Sequence, residues 1–223
     1  ICALTSDAPN TTTLAGAKHG WERMIGMEVH AQVASNAKLF SCASTTFGSE
    51  PNSNVSFVDA AMPGMLPVIN EECVRQAVRT GLGLKAQINK RSVFARKNYF
   101  YPDLPKGYQI SQLDAPIVVG GRVSIESEDT AGPMHINLTR AHLEEDAGKS
   151  VHRAFQGMTG IALNRAGTPL FQIVSEPDMR YDKQPGPYIR QIHSTAQHMR
   201  IVAGNMHKAR DHVGNNVYVR RCS

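Results

Sequence analysis

Glu28 and His30 are the first two side chains of the sequence that could together bind a metal ion or move a proton. They stand two residues apart in MIGMEVHAQV, which begins at Met24 and alternates apolar with polar residues. Such alternation predicts a β-strand with one buried and one polar face, and it places side chains two residues apart on the same face at about 7 Å. The apolar positions are Ile25, Met27, Val29, Ala31 and Val33. A solvated strand face produces the same pattern, so the pair alone leaves both interpretations open.

Three adjacent acids in RAHLEEDAGKS, residues 140–150, form the second group that could do chemistry. Glu144, Glu145 and Asp146 repel one another unless water or a hard cation such as Mg²⁺ neutralises them. The segment ends in Gly-Lys-Ser, but the spacing of a phosphate-binding loop requires glycine at the position of Leu143. A phosphate bound here therefore needs a metal ion to mediate the contact.

RKNYFYPDLPKGYQISQ, residues 96–112, interleaves cations with aromatic rings around two prolines. Rings stack on bases and cations contact phosphates, so this mixture suits a nucleotide or the terminal nucleotide of a tRNA. The residues concerned are Arg96, Lys97, Lys106, Tyr99, Phe100, Tyr101 and Tyr108. Tyrosines packed under an ordered loop are the alternative interpretation.

Two helices are expected beside these segments. Asn70 can cap a helix over EECVRQAVRTGLGL, which we expect to end at its two glycines. Its apolar face should consist of Val74, Ala77, Val78 and Leu82. The second helix is expected at about residues 187–202, with Ile189, Ile192, Ala196, Met199 and Ala203 at helical spacing.

Strands dominate the first 175 residues. Two strands on either side of Gly120 and Gly121 predict a hairpin, MHINLTRAHL alternates from Met134, and LFQIV at residues 170–174 is a further strand. Because few helices cross between the strands, we predict an α+β fold with a largely antiparallel sheet.

The composition limits the class of protein. The chain has 223 residues, of which 41% are hydrophobic and 19% charged, and a formal net charge of +5, which fits a buried core and excludes wholesale disorder. No run approaches the ~18 apolar residues of a membrane span. The four cysteines lack C-x-x-C spacing, which argues against a zinc site. Residues 180–223 carry eight basic and two acidic side chains, a balance compatible with nucleic-acid binding or with chance variation.

Seven motifs are recognisable together. In order they are IGMEVHAQ, KLFSCAST followed by FG and EPN, MPGMLPVIN, RKNYFYPDLPKGYQISQ, HLEEDAGKS, NRAGTPL and IVSEPDMR. In order and spacing they resemble the B subunit of the aspartyl/glutamyl-tRNA(Asn/Gln) amidotransferases. The match extends over residues 21–180, which is too far for chance similarity.

The resemblance implies a glutamine synthetase/guanido kinase-like catalytic cradle. Residues 21–223 would form part of it, incomplete at the C-terminus, after a flexible leader or transit-peptide remnant at residues 1–20. It also implies a ligase of protein biosynthesis that uses ATP and Mg²⁺ to phosphorylate, and then amidate, Glu on tRNA(Gln) or Asp on tRNA(Asn). The implied partners are an amidase, the A subunit, which supplies ammonia, and a small C subunit. The implied location is a mitochondrion or plastid in a eukaryote and the cytoplasm in a bacterium.

The resemblance further implies roles for individual residues. Glu28, His30 and Glu145 would be catalytic and metal-binding, and Glu144 would be a further metal ligand. Contacts to nucleotide or substrate would come from Arg96, Lys97, Asn98, Tyr99 and Lys149, and Asp146 is an additional candidate at the site.

Two departures from the family pattern bear on activity. Gln172 stands where the family usually has Glu, and residues 207–212 replace a block that begins with two acids. These substitutions leave open a non-catalytic relative that binds a protein partner or RNA. An unrelated metal-dependent hydrolase built on Glu28, His30 and Glu145 is the third alternative, and it leaves RKNYFYPDLPKGYQISQ unexplained.

Overall fold

A computed structural model describes residues 21–126, 132–199 and 212–221 of the protein. Within those ranges the chain forms eleven strands and two helices. The strands are β1 (Trp21–Gln32), β2 (Gln87–Ile88), β3 (Ala95–Asn98), β4 (Tyr108–Ser111), β5 (Val118–Val119), β6 (Arg122–Ile125), β7 (Met134–Glu145), β8 (Lys149–Phe155), β9 (Met158–Ala162), β10 (Pro169–Ser175) and β11 (His212–Arg221). The helices are α1 (Glu71–Gly83) and α2 (Pro185–His198). The expectation of a leader at residues 1–20 falls outside the described ranges.

The main sheet has seven strands in the order β11-β1-β10-β7-β5-β2, with β6 also paired to β7. Every pairing in it is antiparallel. Two-stranded ribbons, β3-β4 and β8-β9, stand apart from it. The predicted α+β fold with a largely antiparallel sheet is confirmed, while the likeness to a glutamine synthetase or guanido kinase cradle stays a prediction.

The main sheet buries one face against both helices. Met27 and Val29 of β1 belong to the same apolar cluster as Ala77 of α1 and Ile192 of α2. The alternation predicted for β1 is confirmed, because the apolar side chains from Ile25 to Val33 are buried and Glu28, His30 and Gln32 between them are only half buried. We call the helix-covered side the core face and the opposite side, which carries Glu28 and His30, the polar face.

Helix α1 begins as predicted but buries a different stripe. The Asn70 side chain accepts a hydrogen bond from the backbone N–H of Glu72, which caps the first turn. Leu82, expected in the apolar face, is 63% exposed, whereas Gly81 is buried. A Cβ on Gly81 would lie 2.4 Å from the Cδ1 of Ile88, so the sheet is too close for a side chain there. Gly81 therefore lies inside the helix and provides close packing, and the helix ends at Gly83, as predicted.

The hairpin predicted around Gly120 and Gly121 is wrong. Strands β5 and β6 do not pair with each other, since both pair with β7 in one continuous register, from Val118 opposite Ala141 to Arg122 opposite Asn137. The glycines have φ values of +67° and +102°, which a glycine adopts without steric cost. They interrupt one long strand opposite β7, and β5 and β6 are its two parts.

The C-terminal predictions are confirmed in type, with shifted bounds. LFQIV lies within β10, and the second helix begins at Pro185, two residues earlier than expected. Its buried side chains include the expected Ile192 and Ala196 and also Tyr188. Ala203 lies outside the described residues. Neither helix in those residues is long and apolar enough to cross a membrane.

Candidate functional site

A row of polar residues crosses the centre of the main sheet. Strand β10 lies between β1 and β7, and its Gln172 is paired with His30 on one side and with His142 on the other. Residues paired across antiparallel strands point to the same face, so all three lie on the polar face. Gln172 and His142 are buried, at 4% and 1% exposure.

A buried carboxylate adjoins this row. Oε2 of Glu144 lies 3.4 Å from Nε2 of His30, and Oε1 lies 3.4 Å from Nζ of Lys97. Burial alone would raise the pKa of Glu144, but the hydrogen bond with His30 and the charge of Lys97 together lower it. Glu144 is therefore ionised at neutral pH and is held between an imidazole and an ammonium group.

The imidazole of His142 is neutral at pH 7. Burial is the main cause that lowers its pKa to about 4, and the Arg140 charge acts in the same direction. The Glu144 charge and a hydrogen bond with Gln172 only partly oppose this shift. Among the described residues, the buried Nδ1 atom of His142 has no hydrogen-bond partner.

Glu145 does not join this group, contrary to the expectation that it lies with Glu28 and His30. It points to the core face, where Nζ of Lys106 lies 2.6 Å from Oε1 and 2.5 Å from Oε2, and the backbone N–H of Ile110 donates to Oε1 at 2.8 Å. Adjacent residues on a strand face opposite sides, so only one of the two neighbouring glutamates can meet His30. Burial raises the pKa of Glu145 although Lys106 and Ile110 favour its charged form.

A second buried ion pair lies near Glu145. Nζ of Lys38, which is fully buried, lies 2.9 Å from Oδ2 of Asp59. Burial lowers the pKa of Lys38, an effect that the Asp59 contact opposes. The charges of Lys38 and Glu145 also interact. Sequence reasoning missed this pair, since each residue is a single charge within a mainly apolar segment.

The residues predicted to contact nucleotide or substrate do not lie together in one site. Arg96 stacks over the ring of Tyr108 at 5.5 Å, and Lys97 reaches Glu144. Asn98 is exposed at the end of β3, and the ring of Tyr99 lies 5.0 Å from that of Tyr101. Lys149, at the start of β8, lines a cavity beside the end of β1. Asp146 forms a 3.4 Å ion pair with Arg165.

The donors that the fold brings together do not form the predicted magnesium site. No three His, Cys, Asp or Glu side chains converge to hold a metal ion in the part of the chain that the structure describes. Glu28, His30 and Glu144 share the polar face, but Glu145 is bound to Lys106 on the other side. Mg²⁺ takes six oxygen-rich ligands, so this donor set does not fit the ion by itself. We therefore assign no chemical step to a metal, and Mg²⁺ stays a prediction of the resemblance.

Comparison with known proteins accounts for the motifs. The family model described as the GatB/GatE catalytic domain matches residues 23–223. The chain belongs to this family. It is 57% identical over 218 residues to the aspartyl/glutamyl-tRNA(Asn/Gln) amidotransferase B subunit of Ruegeria pomeroyi, a match that covers 98% of this chain and 43% of the relative. The corresponding B subunit of Nitrobacter hamburgensis is 58% identical over 208 residues, which cover 93% and 42%. The chain thus spans a little under half the length of these bacterial relatives.

The residue at position 172 affects the electrostatics of the polar face in this GatB/GatE catalytic domain. Gln172 is the residue at which the motif resemblance predicts Glu, and the structure places it in the middle of the polar row. The altered block at residues 207–212 lies outside the described residues except for its last position, whose backbone in β11 pairs with His30.

Proposed function

We propose that this chain is part of the catalytic subunit of an amidotransferase that converts mischarged Glu-tRNA(Gln) or Asp-tRNA(Asn) to the amide form. The observation that carries the proposal is the ionised, buried Glu144 held between His30 and Lys97 on the polar face. Together with membership of the GatB/GatE catalytic-domain family, it supports an electrostatically ordered site at the centre of this sheet.

The reaction transfers a phosphoryl group to the side-chain carboxylate of the aminoacyl-tRNA. A carboxylate oxygen attacks the γ-phosphorus of ATP, the bond to the bridging oxygen breaks and ADP leaves. Ammonia then attacks the acyl phosphate, inorganic phosphate leaves, and the nitrogen loses a proton to give the amide. The first step brings an anionic carboxylate against the negative triphosphate, and in the second step negative charge grows on the carbonyl oxygen and on the leaving phosphate. Positioning and charge neutralisation therefore supply most of the catalysis.

Lys97 and Arg96 are the cations that suit the neutralisation of negative charge in this reaction. The side chain of Lys97 is 52% exposed, so its ammonium can contact Glu144 and still reach a ligand on the polar face. Arg96 is exposed on the same strand, with its guanidinium over the Tyr108 ring. Glu144 and its contact with His30 hold the position of the Lys97 ammonium between turnovers.

The proposed cofactors are ATP and Mg²⁺, and the proposed partners are an amidase as the A subunit, a small C subunit and the mischarged tRNA. The relatives are named as the B subunit of their enzyme, which supports an assembly of several chains. An amidase partner is also supported because none of the four cysteines lies in a recognisable nucleophile motif for glutamine hydrolysis.

The test is a single-turnover assay of the full-length protein assembled with its amidase, with γ-labelled ATP and mischarged tRNA. Lys97→Gln should slow tRNA-dependent phosphoryl transfer about 100-fold, the size of effect seen when one charge-stabilising donor is lost. Lys90→Gln makes the same charge change on an exposed residue beyond β2 and should leave the rate within twofold. No transfer in the native assembly would contradict the proposal and favour a non-catalytic relative.

A further inference from the structure

Arg140 of β7 is a cation without an anionic partner in the protein. Its side chain is half buried, and its Nε atom is enclosed and has no hydrogen-bond acceptor among the described residues. In the same part of the chain, no carboxylate lies within ion-pair distance of its guanidinium. Buried donors are normally satisfied, because an unmet donor costs free energy. Arg140 therefore offers a charge and N–H donors to an anionic group of a ligand.

A β-bulge in β7 turns Arg140 to the polar face. Leu138 is buried on the core face, and strict alternation would place Arg140 beside it. Instead, Val174 of β10 pairs with Arg140 and the next residue, Ser175, pairs with Leu138, so Thr139 is an extra residue in β7. The extra residue reverses the side on which the following side chains lie. Arg140 is the first side chain that this reversal affects.

Hydrogen bonds to both neighbouring strands hold the bulge. Oγ1 of Thr139 donates to Oε1 of Glu176 at 2.7 Å, and the backbone N–H of Glu176 donates to the carbonyl of Asn137 at 2.8 Å. From the other side, the N–H of Gly120 donates to the carbonyl of Thr139 at 3.1 Å. Bulges of this kind often occur next to active sites, where they redirect one side chain.

Arg140 and Lys97 lie at opposite ends of the polar row. Arg140 precedes His142 by two residues and Glu144, the partner of Lys97, by four residues, which is about 13 Å along the strand. The charge of Arg140 contributes to the lowered pKa of His142, so the guanidinium lies close to the row. Two anions that react with each other each need a cation, and this spacing provides two separate cations.

The neighbours of Arg140 suit a small anion on an aliphatic chain. Val174 on one side and Val119 on the other are its cross-strand partners, and both share its face of the sheet. Valine side chains can contact methylene groups but cannot neutralise the many charges of a triphosphate. A guanidinium matches the two oxygens of a carboxylate with paired N–H donors. A carboxylate at the end of a short aliphatic side chain fits both features.

We propose that Arg140 is a specificity-determining residue, which binds the side-chain carboxylate of the aminoacyl group and selects the acid over its amide. This role depends on the proposed function, which supplies the acidic aminoacyl group. The amide of Gln or Asn is neutral, and its NH₂ group would face the N–H donors of the guanidinium. The contact therefore holds the acid and favours release of the amide product.

The test measures equilibrium binding to the full-length protein assembled with its amidase, without ATP. The probes are tRNA(Gln) that carries Glu or Gln through a stable 3′-amide linkage, and tRNA(Asn) that carries Asp or Asn in the same way. Native protein should bind an acid form about tenfold more tightly than its amide form, as expected for one charge-assisted contact. Arg140→Gln should bind both forms within about twofold of each other. Arg140→Lys should keep part of the preference, because it retains the charge without the paired donors.

Arg79→Gln is the matched control. It makes the same change on the exposed surface of α1, which lies on the other side of the sheet, and it should keep the full preference for the acid. A purely structural role of Arg140 would weaken binding of acid and amide forms equally, so the ratio of the two affinities separates the roles. If Arg140→Gln does not fold, the partial loss of preference in Arg140→Lys decides.

Two results would overturn the proposal. One is equal affinity of native protein for acid and amide forms, or a preference that the Arg140 variants retain in full. The other is weaker binding of ATP to Arg140→Gln with the acid preference intact, which would assign the guanidinium to phosphate. Because binding is measured without turnover, a preference for the acid in an assembly that transfers no phosphoryl group would count against the proposed reaction alone.

Discussion

Nε2 of His30 lies 3.4 Å from Oε2 of Glu144 even though β10 runs between the strands that carry them. The two side chains therefore meet above β10, over the position of Gln172. This contact spans three strands on the polar face and places an imidazole and a carboxylate beside Gln172, the residue at which the motif resemblance predicts Glu.

Stability should depend on pH through His142. Its pKa is about 4 in the folded chain and about 6.5 when unfolded, so between these values the unfolded state binds more protons. The free energy of unfolding should fall as the pH is lowered from 6.5 to 4, by up to about 3 kcal/mol. Urea denaturation at several pH values measures the slope. His142→Gln should flatten it, whereas His152→Gln, at an exposed position of β8, should not.

Gln172→Glu should change the electrostatics of the polar row. A carboxylate at this position, between His30 and His142, should raise the pKa of His142 and add an anionic oxygen next to Glu144. Titration calorimetry should then show tighter Mg²⁺ binding than in native protein. Gln197→Glu on α2 makes the same charge change on an exposed helix surface. If both variants bind Mg²⁺ alike, position 172 does not contribute to a metal site.

Removing one member of the Lys106–Glu145 ion pair should lower the stability of the protein. Both side chains are almost fully buried, at 6% and 1% exposure, so Lys106→Met leaves a buried carboxylate without its partner. We expect a loss of about 3–5 kcal/mol in the free energy of unfolding. The double variant Lys106→Met with Glu145→Leu should recover part of that loss.

The exposed Arg75–Glu71 pair on α1 is the control for that experiment. Its side chains are 58% and 86% exposed, and Arg75→Gln should cost less than about 0.5 kcal/mol. A Lys106→Met variant as stable as Arg75→Gln would show that water reaches the buried pair.

Gly81→Ala should destabilise the packing of α1 on the sheet. The added Cβ would lie 2.4 Å from Cδ1 of Ile88 and 2.7 Å from Cγ2 of Val118, which forces the helix outward at about 1–3 kcal/mol. Gly83→Ala in the same helix meets only the flexible end of Met199, at 3.0 Å, and should be neutral or slightly stabilising. Thermal denaturation of both variants would measure the difference, and equal melting temperatures would refute the close contact.

The alternation of β1 was enough to predict its two faces, because apolar and polar residues keep strict period two from Ile25 onward. The same reasoning misjudged β7. Ile136 and Leu138 face the core, but the register shifts where Val174 and Ser175 of β10 oppose Arg140 and Leu138, so the strand has an extra residue there. Such a bulge reverses the facing of all later residues. Glu144 therefore took the place predicted for Glu145.

Other parts of the site have no local signal. The cavity wall joins Phe47, Gln76 and Lys149 from three separate parts of the chain, and no periodicity predicts that they meet. The buried Lys38–Asp59 pair likewise depends on long-range packing. Motif resemblance supplied the family and the importance of the segment around Glu144. It did not supply the side of the sheet on which each carboxylate lies.

Strand β1 has consequences for how the protein is made. It leaves the ribosome well before its two neighbours in the sheet, β10 and β11. Trp21, for example, can pair with Arg221 only after Arg221 has emerged from the ribosome. At about 5–20 residues per second, translation of the intervening chain takes roughly ten seconds or more. During that time the apolar edge of β1 is open to other nascent chains. Contacts between distant segments also close slowly because of their entropy cost, so the main sheet must complete its assembly late, after its last strand has been made.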